Sequence, residues 1–408
     1  MKVMTRRYFG ISHDGVTLTA DIRSDLTSAP VSGATSPQAG FDQARKIVLK
    51  IGSSLLFDAR RKEANRAWLA ALAEDIADLR HEGREIIIVS SGAVALGRAR
   101  IQTDPRKLAD KQAAAAVGQS LLMKAWEEAL APHDLMVGQI LLTRDDTERR
   151  RRWLNARATA QALLAHGIIP VVNENDTVTT EEIRYGDNDR LAARTAQLVQ
   201  ADLLVLLSDV DGLYTADPRR DPDAKHLSVI ERLTTEILAM GTGANSDAGV
   251  GTGGMATKLA AVQIAGSAGC ATLIASGLQR HPIKAVRDGA KSTLFHASST
   301  PLAAWKQWIA GSVDPAGSLT LDDGAVRALR AGKSLLPSGV VKLSGRFEKG
   351  DSVRLVDPNG TRLGVGLINY PHDDVARIKG QHSDDIEKLI GYRGPSVVVH
   401  RNDLVLEP

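Results

Sequence analysis

Lys50 closes a short apolar run, KIVLKIG, and is followed at once by Gly52, Ser53 and Ser54. Glycine at such a point lets backbone N–H groups approach an anion, and a helix starting just beyond adds the positive end of its dipole. The plain alternative is a strand-ending glycine beside a solvent-facing lysine. Lys258 ends a second segment of the same character, TGGMATK, with paired glycines at 253 and 254 and hydroxyls at Thr252 and Thr257. A lysine in the first turn of a helix opposes the helix dipole, which points to a compensating anion unless the segment is an ordinary turn. These are parts for handling phosphate.

Amides and acids form the complement. Asn173, Glu174, Asn175 and Asp176 directly follow the apolar run GIIPVV, and Gly186, Asp187, Asn188 and Asp189 open a helical pattern. Helix capping accounts for one of these carboxylates but not for so many amides and acids together. A site that must hold an ammonium group, a carboxylate and Mg²⁺ at once would use such a mixture. A third segment, SDVDGLYTADP, has the turn residues to present Ser208 and Asp209 after the run ADLLVLL.

Other chemistries lack their residues. Gly332, Lys333 and Ser334 have Arg327 where a P-loop requires glycine, and no GxSxG occurs. GVGTGG at Gly249 to Gly254 fits GxGxxG, but it follows the polar stretch TGANSDA instead of a strand, and no acid stands about 20 residues on. The arginines at 149 to 152 read as a solvated helix face paired with Asp145, Asp146 and Glu148, and Cys270 in AGCATLI as a small buried hydrophobe.

The elements that must position these residues follow from periodicity. Helical spacing covers 61 to 82 (Trp68, Leu69, Leu72, Ile76, Leu79), 111 to 130, 155 to 166 and 189 to 200. Between them lie short apolar runs without polar alternation, the pattern of a parallel sheet covered on both faces. Ligands of such sheets bind at the carboxyl ends of the strands, where the polar segments 173 to 189, read as a hairpin, and 240 to 258 fall. After about Ser312 the texture changes to short alternating runs such as VVKLSGRF and DSVRLVD, a second and mainly β domain.

Composition bounds the rest. A length of 408 residues predicts two or three domains. With 51 basic and 48 acidic side chains the net charge is +3, too little for a general polyanion-binding surface. One cysteine permits no intrachain disulfide and no multi-thiolate zinc site, so a reducing cytoplasmic location fits. No apolar run approaches the length of a membrane span, and no signal sequence is visible. The first 45 residues, rich in Ser, Thr, Ala, Gly and Asp, read as a mobile extension.

With these residues in view, the chain resembles the glutamate 5-kinase family of the amino acid kinase superfamily, followed by a PUA domain. The resemblance rests on KIGSSLL, SSGAVALGR, KQAAAAVGQSLL, GQILLTRDD, NARAT, VVNENDTV, GDNDRLAA, SDVDGLYTADP and GTGGMATKL, in that order from about Lys46 onward. SSGA stands where TSGA is common and SD where TD is common, each exchange keeping a hydroxyl. The resemblance implies an αβα sandwich of three layers around a mostly parallel sheet over 46 to 300, a linker over 301 to 316, and a small, mainly β PUA-like domain over 317 to 401. It implies transfer of the ATP γ-phosphoryl group to the side-chain carboxylate of L-glutamate, the first step of proline biosynthesis. Carried over by residue, Lys50 and Lys258 would flank the phosphoryl group and Asp189 would orient them. Ser91, Asp176 and Asn188 would hold glutamate. Lys50, Gly52, Ser208, Asp209 and the segment Thr252, Gly253, Gly254, Met255, Ala256, Thr257 and Lys258 would bind the nucleotide, with Mg²⁺ held mainly by ATP phosphates. Proline as feedback inhibitor and a homo-oligomer are further family expectations. RNA is the competing partner, since PUA domains bind it elsewhere. Residues 317 to 408, however, hold 13 Lys and Arg against 12 Asp and Glu, a net +1, where an RNA-gripping domain would show a larger excess.

Overall fold

The computed structural model describes residues 31, 33–102, 107–180, 188–242, 254–310 and 315–407. The apolar runs become strands of one eight-stranded sheet: β1 (Lys46–Ile51), β2 (Glu85–Ser90), β3 (Val137–Leu142), β4 (Ile169–Glu174), β5 (Leu203–Ser208), β6 (Val229–Ile230), β7 (Ala271–Ser276) and β8 (Ser292–Phe295). Their spatial order is β6-β8-β7-β5-β1-β2-β4-β3, and every pairing is parallel except that of β7 with β8. Central strands buried on both faces need no polar alternation, which is why their sequences run apolar.

Helices cover both faces: α1 (Pro37–Gln43), α2 (Arg66–His81), α3 (Ala93–Ile101), α4 (Leu108–Leu130), α5 (Arg150–Ala165), α6 (Asn188–Val199) and α7 (Met255–Ser267). The alternation of β1 sorts its side chains between the two layers. Ile47, Leu49 and Ile51 join the cluster containing Leu69, Leu72 and Ile76 of α2, while Val48 joins the one containing Leu191 and Ala192 of α6 and Leu259 of α7. Lys50 is two residues from Val48, so the same periodicity turns it toward α6 and α7. Cys270 is buried beside β7, where burial pushes its thiol well above the ordinary range.

Several boundaries differ from the sequence expectation. The helix expected from 61 begins at Arg66, because Phe57–Asp58 and Glu63–Ala64 pair as a small hairpin and Asn65 caps the turn that follows, its side chain accepting from Trp68 N. The extension expected to be mobile over 1–45 lies outside the described residues up to residue 30. Beyond that, α1 is a capped and docked helix. The Ser36 side chain accepts from Ala39 N, Pro37 opens the helix, Phe41 is fully buried, and Arg84 donates to Phe41 O at 2.7 Å. The segment expected as a linker, 301–316, contains helix α8 (Pro301–Ala310). Its Trp305 stacks on Trp153 of α5 with ring centroids 5.1 Å apart, and the Arg157 guanidinium lies 4.1 Å from the Trp305 ring centroid.

The C-terminal sheet comprises β9 (Gly317–Leu321), β10 (Val340–Gly345), β11 (Ser352–Val356), β12 (Arg362–Leu367) and β13 (Leu404–Leu406), in the order β10-β9-β11-β12-β13. It has a core of its own around Leu319, Val353, Leu355 and Ile378. Strand β13 lies past residue 401, the expected end of this domain, and pairs with β12. Trp305 Nε1 donates to Asp403 Oδ1 at 3.0 Å, so α8 ties the second sheet to the first body. Among the described residues no helix is long and apolar enough to cross a membrane.

Candidate active site

The strand order reverses at β1, whose neighbours β5 and β2 lead to opposite halves of the sheet. Ligands of open α/β sheets bind where order reverses, at the carboxyl ends of the strands. The register carries the expected residues there. Ile51 pairs with Leu207 on one side and with Ser90 on the other, so Gly52, Ser208 and Ser91 leave the sheet side by side.

Over this edge three charged side chains from distant segments meet. Lys50 Nζ lies 2.5 Å from Asp189 Oδ1, and Lys258 Nζ lies 3.0 Å from Asp189 Oδ2. Asp189 is in the first turn of α6 and is completely buried; Lys50 and Lys258 are 6% and 3% exposed. Lone charges at such depth would be untenable, so each ion here depends on the others. Burial alone would push the Asp189 carboxyl up, but the two ammonium groups outweigh it and hold the carboxyl below its ordinary value. The anion that compensates Lys258 against the α7 dipole is thus, within the chain itself, Asp189. Two ammonium groups against one carboxylate still leave one positive charge for incoming anions.

Beside this triad runs a network of amides and hydroxyls. Asn188 Nδ2 donates to Ser91 Oγ at 2.7 Å, to Ser90 O at 2.8 Å and to Asn173 Oδ1 at 2.9 Å. Asn173 Nδ2 donates in turn to Gln119 Oε1 at 2.9 Å, and Trp126 Nε1 donates to Ser90 Oγ at 3.1 Å. Asp176, in the turn after β4, lines a recess with Lys111, Gln112 and Thr179. Among the described residues no three His, Cys, Asp or Glu side chains converge as a metal cage.

The expected nucleotide segment is reached in part. Ser208 ends β5 and its hydroxyl donates to Asp209 Oδ1 at 2.9 Å. Gly254 precedes α7, which holds Met255, Ala256, Thr257 and Lys258, and the Thr257 hydroxyl donates to Gly254 O at 2.7 Å. Thr252, Gly253 and the stretch 181–187 of the expected hairpin over 173–189, with Gly186 and Asp187, lie outside the described residues. The arginine run bears two of its expected partners, Arg149 with Asp145 and Arg152 with Asp145 and Asp146, whereas Glu148 pairs with Arg144 outside the run, and Arg150 is partly buried and faces the charge of Asp351, just before β11. Gln119 and the linking role of Asn173 were not read from the sequence. The available signal was a glutamine directly after Gly118 in an otherwise alanine-rich helix.

Residues 45–276 match the amino acid kinase family and residues 317–390 the PUA domain. The chain is 59% identical over 372 residues to a glutamate 5-kinase of Caulobacter vibrioides, covering 90% of this chain and 98% of that one. It is 53% identical over 365 residues to a glutamate 5-kinase of Paramagnetospirillum magneticum (89% and 98% covered), and 52% identical over 367 residues to one of Rhizobium rhizogenes (90% and 94% covered). A converging pair of lysines at the reversal point of the sheet, family matches over both halves and this depth of identity together place the chain in the amino acid kinase family, among its glutamate 5-kinases.

Proposed function

We infer that the protein transfers the γ-phosphoryl group of ATP to the side-chain carboxylate of L-glutamate, forming glutamyl 5-phosphate for proline biosynthesis. The observation that carries this reading is the buried junction of Lys50, Asp189 and Lys258 beside the Asn188 and Ser91 pair. A carboxylate attacking ATP brings like charges together, and at ~4 Å with an effective dielectric of ~20 each pair of unit charges repels by ~4 kcal/mol. The two lysines oppose this repulsion, most of all as charge spreads over the phosphoryl oxygens. Asp189 fixes the direction of both. No general base is required, because the nucleophile is ionised before it reacts.

Ser91, Asn188 and Asp176 hold the amino acid in this reading, and Gly52, Ser208, Asp209 and the segment ending at Lys258 hold the nucleotide. Mg²⁺ would enter with the ATP phosphates and would supply further charge neutralisation there. A cytoplasmic location accords with a single buried thiol. Asp176→Ala is expected to raise KM for glutamate with kcat largely kept, because a contact to the ammonium group is made equally in ground and transition states. Initial rates against glutamate concentration check this, and a kcat defect at unchanged KM removes Asp176 from that role.

A hydroxylamine-trapping assay with ATP and Mg²⁺ tests the reaction itself. Glutamyl hydroxamate is expected from L-glutamate, with little product from N-acetylglutamate or aspartate. Product from N-acetylglutamate and none from free glutamate would assign the site to a different carboxylate kinase.

A further inference from the structure

Three elements meet around the recess that Asp176 lines. Val94 belongs to the first turn of α3, three residues beyond Ser91; Leu108 and Lys111 come from the start of α4; Asp176 and Thr179 come from the chain just past β4. Among the described lining residues Asp176 is the one anion and Lys111 the one cation. Both are half-buried, so a ligand that enters the recess meets both.

The spacing of the two is fixed. Gln112 Nε2, on the residue after Lys111, donates to Thr179 O at 3.3 Å, and the Thr179 hydroxyl donates to Asn175 O at 2.7 Å, closing the turn around Asp176. Farther along α4, a Cβ on Gly118 would lie 1.7 Å from Ala93 O, so α3 and α4 touch backbone to backbone. The start of α4 cannot drift from Asp176 without breaking these contacts. Lys111 also stands against its own helix. Its N–H closes the first turn of α4 on Lys107 O at 3.1 Å, and a cation at the positive end of a helix of 23 residues is unfavourable unless an anion joins it. Asp110, the acid of that turn, is exposed and does not line the recess.

Glutamate supplies matching charges. Its reacting carboxylate goes to the lysine pair, which the bond between Asn188 and Ser91 adjoins, and the recess begins three residues past Ser91. The end that does not react carries one ammonium group and one α-carboxylate. A carboxylate and an ammonium group of the protein, held on different elements around one recess, can each face its counter-charge there.

We propose that Lys111 binds the α-carboxylate of the amino-acid substrate while Asp176 holds its ammonium group, making Lys111 a specificity residue for substrates with a free α-carboxylate. The proposal rests on the glutamate reading above. Its test is the steady-state kinetics of the full-length enzyme with L-glutamate and with L-isoglutamine, in which the α-carboxylate is an amide and the side-chain carboxylate is intact. Isoglutamine serves as a competitive inhibitor if its turnover is too slow to follow.

Lys111→Met keeps most of the side chain's length and removes its charge. It is expected to raise KM for glutamate about tenfold or more with kcat largely kept, on the scale of losing a hydrogen bond to a charged group, and to leave isoglutamine hardly affected. Lys111→Arg keeps the charge and should lose less. If the methionine variant fails to fold, Lys111→Gln carries the test. KM for ATP should hold its wild-type value, and that contrast decides if isoglutamine binds too weakly to measure. Equal losses for the two amino acids, or a parallel rise in KM for ATP, would reduce Lys111 to a prop for the fold. An unchanged KM for glutamate would leave the α-carboxylate to another group; each of these results overturns the proposal. Wild-type enzyme that ignores glutamate would instead overturn the reading on which it rests.

Discussion

Replacing Lys258 with alanine is expected to lower kcat by about 10²-fold or more, the scale of losing one preorganised electrostatic contact to developing charge. Lys50→Ala should behave alike, since both ammonium groups sit on the same carboxylate from different segments, one from β1 and one from α7. The double variant should fall short of the product of the two single effects. The lysines share Asp189, so removing either one already alters the setting of the other. Steady-state rates at saturating ATP and glutamate check this, and near-normal turnover in either single variant would take that lysine out of the mechanism.

Asp189→Asn should do the greatest damage to stability. The change leaves two buried ammonium groups facing a neutral amide, and breaking a buried ion pair by removing one partner costs about 3–5 kcal/mol. For a body of this size that lowers Tm by roughly 10 °C, with loss of kcat as the lysines lose their common anchor. The pH dependence has a definite sign. The folded-state carboxyl is held below its ordinary value of 3.8, so its contribution is complete above that value and is lost as pH falls through the depressed folded value. The gap in Tm between wild type and Asp189→Asn should therefore be full at neutral pH and close in acid. Equal Tm values at neutral pH would contradict the structural part of this account.

The same residues show what a sequence can and cannot tell. The central strands were legible because burial on both faces forbids polar alternation, and their glycine and serine endings marked the functional edge of the sheet. Lys50 and Lys258 stood out in the sequence as candidates for handling an anion, yet their meeting on Asp189 depends on Lys50 sharing the α6 and α7 side of β1 with Val48, which only the packed sheet displays. Helix α1 was hidden because Phe41 is the one large apolar side chain in Pro37–Gln43, and its fixation comes from Arg84, more than 40 residues away. Trp305 read as part of a linker because the partners that bury it, Trp153, Arg157 and Asp403, lie about 100 to 150 residues away in sequence. The link from Asn173 to Gln119 escaped notice because it joins a strand end to a helix 54 residues away, which no spacing rule encodes.

The central claim is that a glutamate carboxylate oxygen attacks the γ-phosphorus of ATP, and oxygen labelling tests it most directly. With L-glutamate carrying ¹⁸O in its side-chain carboxylate, the product is trapped by hydroxylamine, which attacks the carbonyl carbon and releases phosphate with its bridging oxygen. The account predicts one labelled oxygen in each phosphate released from the trapped product. Phosphate free of label, formed while hydroxamate accumulates, would contradict it.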